Sequence, residues 1–330
     1  MRTQRIYSSK IRKFFLLKNG LKDLASRLKT LVFMDKNLRH ELFKREKKVF
    51  PHEVGLAVII KNEASYILEW IEYHRLIGVS KFYIFDNDSN DGLDHLLGGY
   101  IQRGIVELTK LHGSGRQLEA YNIAIQKSKN SVKWLGVIDA DEFIQVMDGE
   151  KLSDILEKYK HVGMLVGWSI FGSDGNKHFD NRLVMERFTR HAYDDFIADY
   201  KMIFNPRKAL RFVNPHYVQM LGSVIDEQGN RIYSYPYITN IEVKPSSKKI
   251  IRINHYYTKS LSEFCEKSKR GYADMPDDQG LRKQRSMIDF QRHDRNEVLD
   301  KSMLKYTFKV KENILFYNHE NGLKDFSLRK

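Results

Sequence analysis

Cysteine is almost missing. Cys265 stands alone in 330 residues, so no intrachain disulfide can form and no cysteine-rich zinc site can assemble. A reducing compartment suits such a chain. Long hydrophobic runs are missing as well: the longest uncharged stretch of the first fifty residues runs only from Thr30 to Met34, far short of the roughly 20 apolar residues that a membrane span requires. Arg12 and Lys13 interrupt any reading of a cleavable signal. Proline is scarce, with 6 residues scattered over the chain, and no interdomain linker, internal repeat or low-complexity segment stands out. A hydrophobic content of 42% is ordinary for a packed protein and argues against disorder throughout.

What is present is unevenly spread. Of the net charge of +14, most falls in residues 1–50, where fifteen Lys and Arg face four Asp and Glu. The remainder of the chain is nearly neutral. That distribution argues against a nucleic-acid groove in the main body, so no nucleic-acid partner is expected. Within residues 1–50, Phe14, Leu17, Leu21, Leu24, Leu28 and Leu31 recur at spacings of three and four with Lys18, Lys22, Arg27 and Lys29 between them, the pattern of an amphipathic helix. Two readings of this basic arm stay open: a helix lying on an anionic membrane surface, or one packed on the protein's own body.

From Val54 the texture changes. Val54-Gly-Leu-Ala-Val-Ile-Ile60 reads as a buried strand, and Ile67, Trp70, Ile71 and His74 share one face of a helix that Gly78 would end. Further strands are predicted over residues 82–85, 105–109, 134–138 and 164–169, with helices from about Leu93 and over residues 117–128. Strand alternating with helix implies an α/β fold with a mostly parallel sheet covered on both faces. After Tyr159 the pattern loosens: residues 183–188 and 249–254 look β-like, and residues 262–271 and 296–304 look helical. The expected organisation is a basic arm (residues 1–50), an α/β catalytic domain (51–258) and a helical C-terminal extension packed on it (259–330).

Three polar clusters fall at predicted carboxyl ends of strands: Lys61-Asn62-Glu63, Asp86-Asn-Asp-Ser-Asn-Asp91 and Asp139-Ala-Asp141-Glu142. Open parallel sheets bind ligands at those ends. Side chains two apart on an extended chain point the same way, so Asp139 and Asp141 can reach one hard cation, directly or through water. Mn2+ or Mg2+ held there would neutralise a bound diphosphate.

At this point the residues match a known family. Val58-Ile-Ile-Lys-Asn-Glu63, Glu69-Trp-Ile-Glu-Tyr-His74, Phe85-Asp-Asn87, Asp139-Ala-Asp-Glu-Phe143, Trp168-Ser-Ile-Phe-Gly172, Glu186-Arg-Phe188, Lys201, His216 and Asn254-His-Tyr-Tyr-Thr-Lys-Ser260 together closely resemble glycosyltransferase family 92 over about residues 54–300. The resemblance implies a GT-A fold, a divalent metal, a nucleotide-sugar donor with UDP-galactose favoured, and inversion at the anomeric carbon. It places Lys61, Asn62, Glu63 and Asp86 at the nucleoside, and Arg116, Gln117 and Asn122 on a helix beneath the donor. Asp139 would contact the donor and, with Asp141 and His255, the metal; Lys259 would pair with the leaving diphosphate. Transfer also calls for a carboxylate base, for which Asp174 and Glu186 are the candidates. The acceptor would be a glycan or lipid-linked saccharide in cell-surface polysaccharide synthesis, and the enzyme would be cytoplasmic and peripheral to the inner membrane face. The competing classes are a nucleotidyltransferase of similar fold, against which the glycine-free Lys61-Asn62-Glu63 argues, and a basic membrane- or RNA-binding module without catalysis.

Overall fold

The structure is a computed structural model and describes residues 21, 49–147, 149–194, 196, 199–232, 250–270 and 285–323. Apart from Leu21, Val49 and Phe50, the basic arm lies outside the described residues, and both readings of its leucine face lie there with it. No helix among the described residues is long and apolar enough to cross a membrane.

The apolar run after Glu53 forms β1 (His52–Ile60), buried from Val54 to its end. Alternation then follows: α1 (Ala64–Leu76), β2 (Val79–Asp86), α2 (Leu93–Gln102), β3 (Val106–Lys110), α3 (Gln117–Ser128) and β4 (Val132–Val137). β2 and β4 flank β1, both parallel to it, and β3 continues beyond β2. The chain thus builds outward on one side of β1 and returns to the other side with β4. The crevice at that reversal, beyond the strand ends, is where such sheets bind ligands.

The sheet extends through β5 (Glu142–Val146), α4 (Leu152–Glu157), β6 (Gly163–Ile170), α5 (Val184–Arg187), β7 (Arg190–His191) and β8 (Tyr200–Phe204). Then come the hairpin β9 (Ala209–Asn214) and β10 (Tyr217–Met220), followed by β11 (Val224–Asp226), β12 (Arg231–Ile232) and β13 (Ile251–His255). The large sheet has the order β12-β11-β6-β8-β4-β1-β2-β3, with β13 between β6 and β5. β8 runs antiparallel to both β4 and β6, and β13 runs parallel to β6. One face is packed by Trp70, Leu96 and Ile314, the other by Tyr121, Ala124 and Phe212. This is the expected GT-A type of α/β sheet, mostly parallel and covered on both sides.

The C-terminal part contributes α6 (Leu261–Arg270), α7 (Met287–His293), β14 (Val298–Leu299) and α8 (Thr307–Glu320). α8 packs on the first two helices: Tyr317 stacks on Tyr100 at 3.9 Å, and Asn313 donates to Glu72 at 3.0 Å. Two expectations are corrected here. Residues 183–188 hold a helix, because the buried Glu69 carboxylate accepts from the N–H groups of Val184 and Met185 and caps that turn from a distant segment. Residues 296–304 hold β14, paired with β7, and the start of a 3-10 turn over Ser302–Tyr306; the last helix begins only at Thr307.

The segment Glu69–His74 clamps α1 to β5, the strand that follows Asp141. Trp70 Nε1 donates to Glu142 O, and Tyr73 OH donates to Ile144 O. His74 Nε2 lies 3.1 Å from the N–H of Ile144, while Nδ1 lies 2.8 Å from Trp70 O. A nitrogen facing a donor must accept, and one facing a carbonyl must donate, so the ring is held as one neutral tautomer. Burial pushes its pKa down to about 3 from 6.5. Below 6.5 the unfolded chain takes up a proton that the native state refuses, so His74's contribution falls with acid by about 1.4 kcal/mol per pH unit. The stability advantage of the wild type over His74→Gln should therefore shrink by about 2 kcal/mol between pH 6.5 and pH 5. A gap that stays constant in urea titrations across that range would show that the native ring titrates normally.

Candidate active site

A cleft of about 1400 Å³ opens at the reversal point, bordered by Lys61, Asn62 and Glu63 after β1, by Asp139 and Asp141 after β4, and by His255 at the end of β13. Asn62 takes the left-handed backbone region, with φ of 55°. Its N–H donates to Ser89 Oγ and its Oδ1 accepts from Asn90 N, both at 2.9 Å, which ties the loop after β1 to the loop after β2. Asp91 in that second loop accepts from Ala64 N and caps α1. The polar turn of residues 86–91 thus shapes the rim of the cleft.

Asp139 and Asp141 are held differently. Asp139 Oδ1 accepts from Tyr121 OH at 2.9 Å and from Gln117 Nε2 at 3.4 Å, while Oδ2 pairs with Lys201 Nζ at 2.9 Å. Asp141 Oδ2 meets Lys267 Nζ and lies 3.6 Å from His255 Nε2. Burial alone would raise the pKa of both acids, yet Lys201 holds Asp139 below its ordinary value, and Lys267 with His255 holds Asp141 well below. Both are anions at neutral pH. Behind them Glu142 accepts from Asp139 N at 2.9 Å, and burial pushes its carboxyl well above the usual range. The ladder between β5 and β13 sets His255 opposite Glu142, and Tyr256 N donates to Asp141 O. Trp168 closes the wall, its ring centroid 4.3 Å from that of His255.

A divalent cation fits these residues. Asp141 Oδ2 and His255 Nε2 are close enough to share one ion, and His255 Nδ1 is buried without a hydrogen-bond partner. No group of three or more His, Cys, Asp or Glu is gathered for a metal among the described residues. A carboxylate with water and phosphate oxygens is an ordinary set for a hard divalent cation.

Of the residues anticipated from sequence, Lys61, Asn62, Glu63, Gln117, Asp139, Asp141 and His255 come together at the cleft. Six others do not border it. Asp86 is buried, accepting from Ser89 N and paired with Lys110 at 2.6 Å, so it serves the turn. Arg116 pairs with Glu119, and Asn122 bridges Leu118 O to the N–H of Phe212. Lys259 lies against Glu63 and over the Tyr66 ring, inside the wall. Asp174, with φ of 50°, accepts from the N–H groups of Thr189 and Arg190 and from the Thr189 hydroxyl. Glu186 caps α5 through Leu183 N and pairs with Lys311. The last two are corrected as bases: each is committed to folding its own loop. Lys201 and Lys267 were given no role in advance. A lysine inside the apolar strand Tyr200–Phe204 was a signal for the first; nothing in the local pattern marked the second.

The sequence profile of glycosyltransferase family 92 matches residues 54–293. The chain belongs to glycosyltransferase family 92. A family 92 protein of Ricinus communis is 25% identical over 264 residues, covering 68% of this chain and 47% of its own length. One from Arabidopsis thaliana is 31% identical over 107 residues, 30% of this chain and 18% of its own. This family 92 chain therefore spans about half the length, or less, of these relatives. Among solved structures, S. aureus TarS 1-349 overlaps 47% of each chain at 13% identity and a TM-score of 0.33. That overlap is partial.

Proposed function

We propose that this chain is a metal-dependent glycosyltransferase that moves a hexose, galactose favoured, from a UDP-sugar to a glycan or lipid-linked saccharide with inversion. The observation that carries the reading is the gathering of Asp139, Asp141 and His255, with Asp141 3.6 Å from the imidazole, at one cleft with Lys61–Glu63, at the sheet's reversal point, in a family 92 chain. Asp141 and His255, with Asp139 beside them, would hold Mn2+ or Mg2+, which when bound supplies Lewis-acid neutralisation of the diphosphate. Lys61 and Asn62 border the cleft and would face the nucleoside, and Trp168 offers a flat apolar wall. In the transfer the acceptor oxygen bonds to the anomeric carbon, the bond from that carbon to the diphosphate oxygen breaks, UDP leaves, and the acceptor proton passes to a carboxylate.

Asp180 and Glu266 are the cleft acids that we assign to that last step. Their partners, Arg182 and Lys269, are well exposed, whereas Glu263 is buried in two bonds to Arg187. The test is a panel of nucleotide sugars assayed for Mn2+-dependent hydrolysis and for a raised melting temperature. UDP-galactose should lead the panel, and saturation at about a hundredfold over Kd should add about 2.7 kcal/mol of stability. Either Asp180→Asn or Glu266→Gln should lower transfer about a hundredfold or more and keep that stabilisation. A panel in which no nucleotide sugar stabilises or is cleaved would sink the reading.

A further inference from the structure

Each strand-end carboxylate carries its own lysine, and the two lysines are not equally free to leave. Lys201, the second residue of β8, has a side chain only 1% exposed and stands between Asp139 and Glu142. Lys267 reaches in from α6, is 17% exposed and borders the open cleft. Its ammonium meets Asp141 Oδ2, donates to Tyr257 O at 3.1 Å and lies 4.4 Å from the centre of the Tyr257 ring. Asp141 Oδ2 is also the oxygen 3.6 Å from His255 Nε2. An ammonium seated on that oxygen blocks the place where a cation shared by Asp141 and His255 would sit.

Lys267 is therefore poised for an exchange. Its ammonium is partly exposed to the open cleft and is not sealed in the fold. Such a cation gains from a polyanion entering the cleft beside it, and its flexible four-carbon stem allows the head group to move while α6 stays put. Lys269 and Arg285 border the same side of the cleft and add to its positive character.

We propose that Lys267 is a ligand of the donor diphosphate: when a nucleoside diphosphate sugar binds, its ammonium leaves Asp141 Oδ2 and pairs with the phosphate oxygens. No covalent bond changes in this step; one ion pair is exchanged for another, and Asp141 is freed to accept a cation. Lys267 thus takes the part that the family resemblance gave to Lys259, whose ammonium is engaged inside the wall with Glu63 and Tyr66. The inference rests on the UDP-sugar reading and adds to it the residue that carries the charge of departing UDP.

Calorimetric titration of the full chain with UDP and, separately, with uridine, Mn2+ present, tests it. Lys267→Met should weaken UDP by about tenfold to a hundredfold, as loss of a charge-assisted hydrogen bond does, and leave uridine affinity unchanged. Lys267→Arg should recover most of the UDP affinity. UDP bound by Lys267→Met as tightly as by the wild type overturns the proposal. So does an equal loss for UDP and uridine, which would assign Lys267 to holding α6 in place. A wild type that binds neither ligand refutes the UDP-sugar reading and this inference with it.

Discussion

Asp141→Asn should keep the fold at some cost in stability and transfer sugar on the order of a thousandfold more slowly. The substitution keeps the shape of the side chain and an oxygen beside Lys267 and His255, so packing is preserved. Lys267 borders the cleft and can turn its charge to solvent, so no buried cation is stranded. What is lost is the anion that would hold a divalent ion beneath the diphosphate, an electrostatic contribution of several kcal/mol to the transition state. Single-turnover transfer from saturating donor separates this from weakened binding. Transfer within tenfold of the wild type would remove Asp141 from the site.

Lys201→Met should do the opposite, harming the fold first. Its ammonium is buried, 2.9 Å from Asp139 Oδ2 and 3.8 Å from Glu142 Oε1, and those two carboxylates raise its pKa above the ordinary lysine value even though burial pulls the other way. Without it, Asp139 faces Asp141 and Glu142 with no compensating charge. Burial already pushes the Glu142 carboxyl above its ordinary value, and losing Lys201 removes the charge that opposes that push. Removing one member of such a buried group costs about 3–5 kcal/mol, and urea denaturation at pH 7 measures it. A loss under about 1 kcal/mol would mean that Asp139 stays charged and solvated without Lys201, and the lysine would then not be the group that holds it, because protonating an aspartate at pH 7 costs about 4 kcal/mol by itself.

The parts of the molecule that could be read in advance were those whose meaning is local. β1 declares itself as an apolar run, and Asp139 and Asp141 sit directly after another, so strand, strand end and paired carboxylates are all inscribed in about ten neighbouring residues. Asp86, Asp174 and Glu186 could not be sorted in that way. An acid in a polar turn is as suited to capping backbone N–H groups as to touching a ligand, and the decision lies with partners such as Lys110, Thr189 and Lys311 that are far away in the chain. The helix at Val184 was hidden for the same reason, since its cap is Glu69. Lys267 is the extreme case: on α6 it is one of several charged residues, and only the packing of that helix against the cleft distinguishes it from Lys269.

The pairing of β13 with β5 has a consequence for how the protein is made. His255 stands opposite Glu142, one residue from Asp141, only because a strand from late in the chain joins a ladder begun more than a hundred residues earlier. A slip of one residue would turn the imidazole to the other face. During synthesis, a chain that has emerged as far as β12 carries both carboxylates and their strand but no imidazole. The centre therefore cannot assemble piece by piece from the N terminus; it becomes complete only with the arrival of residue 255, when the long-range contact closes.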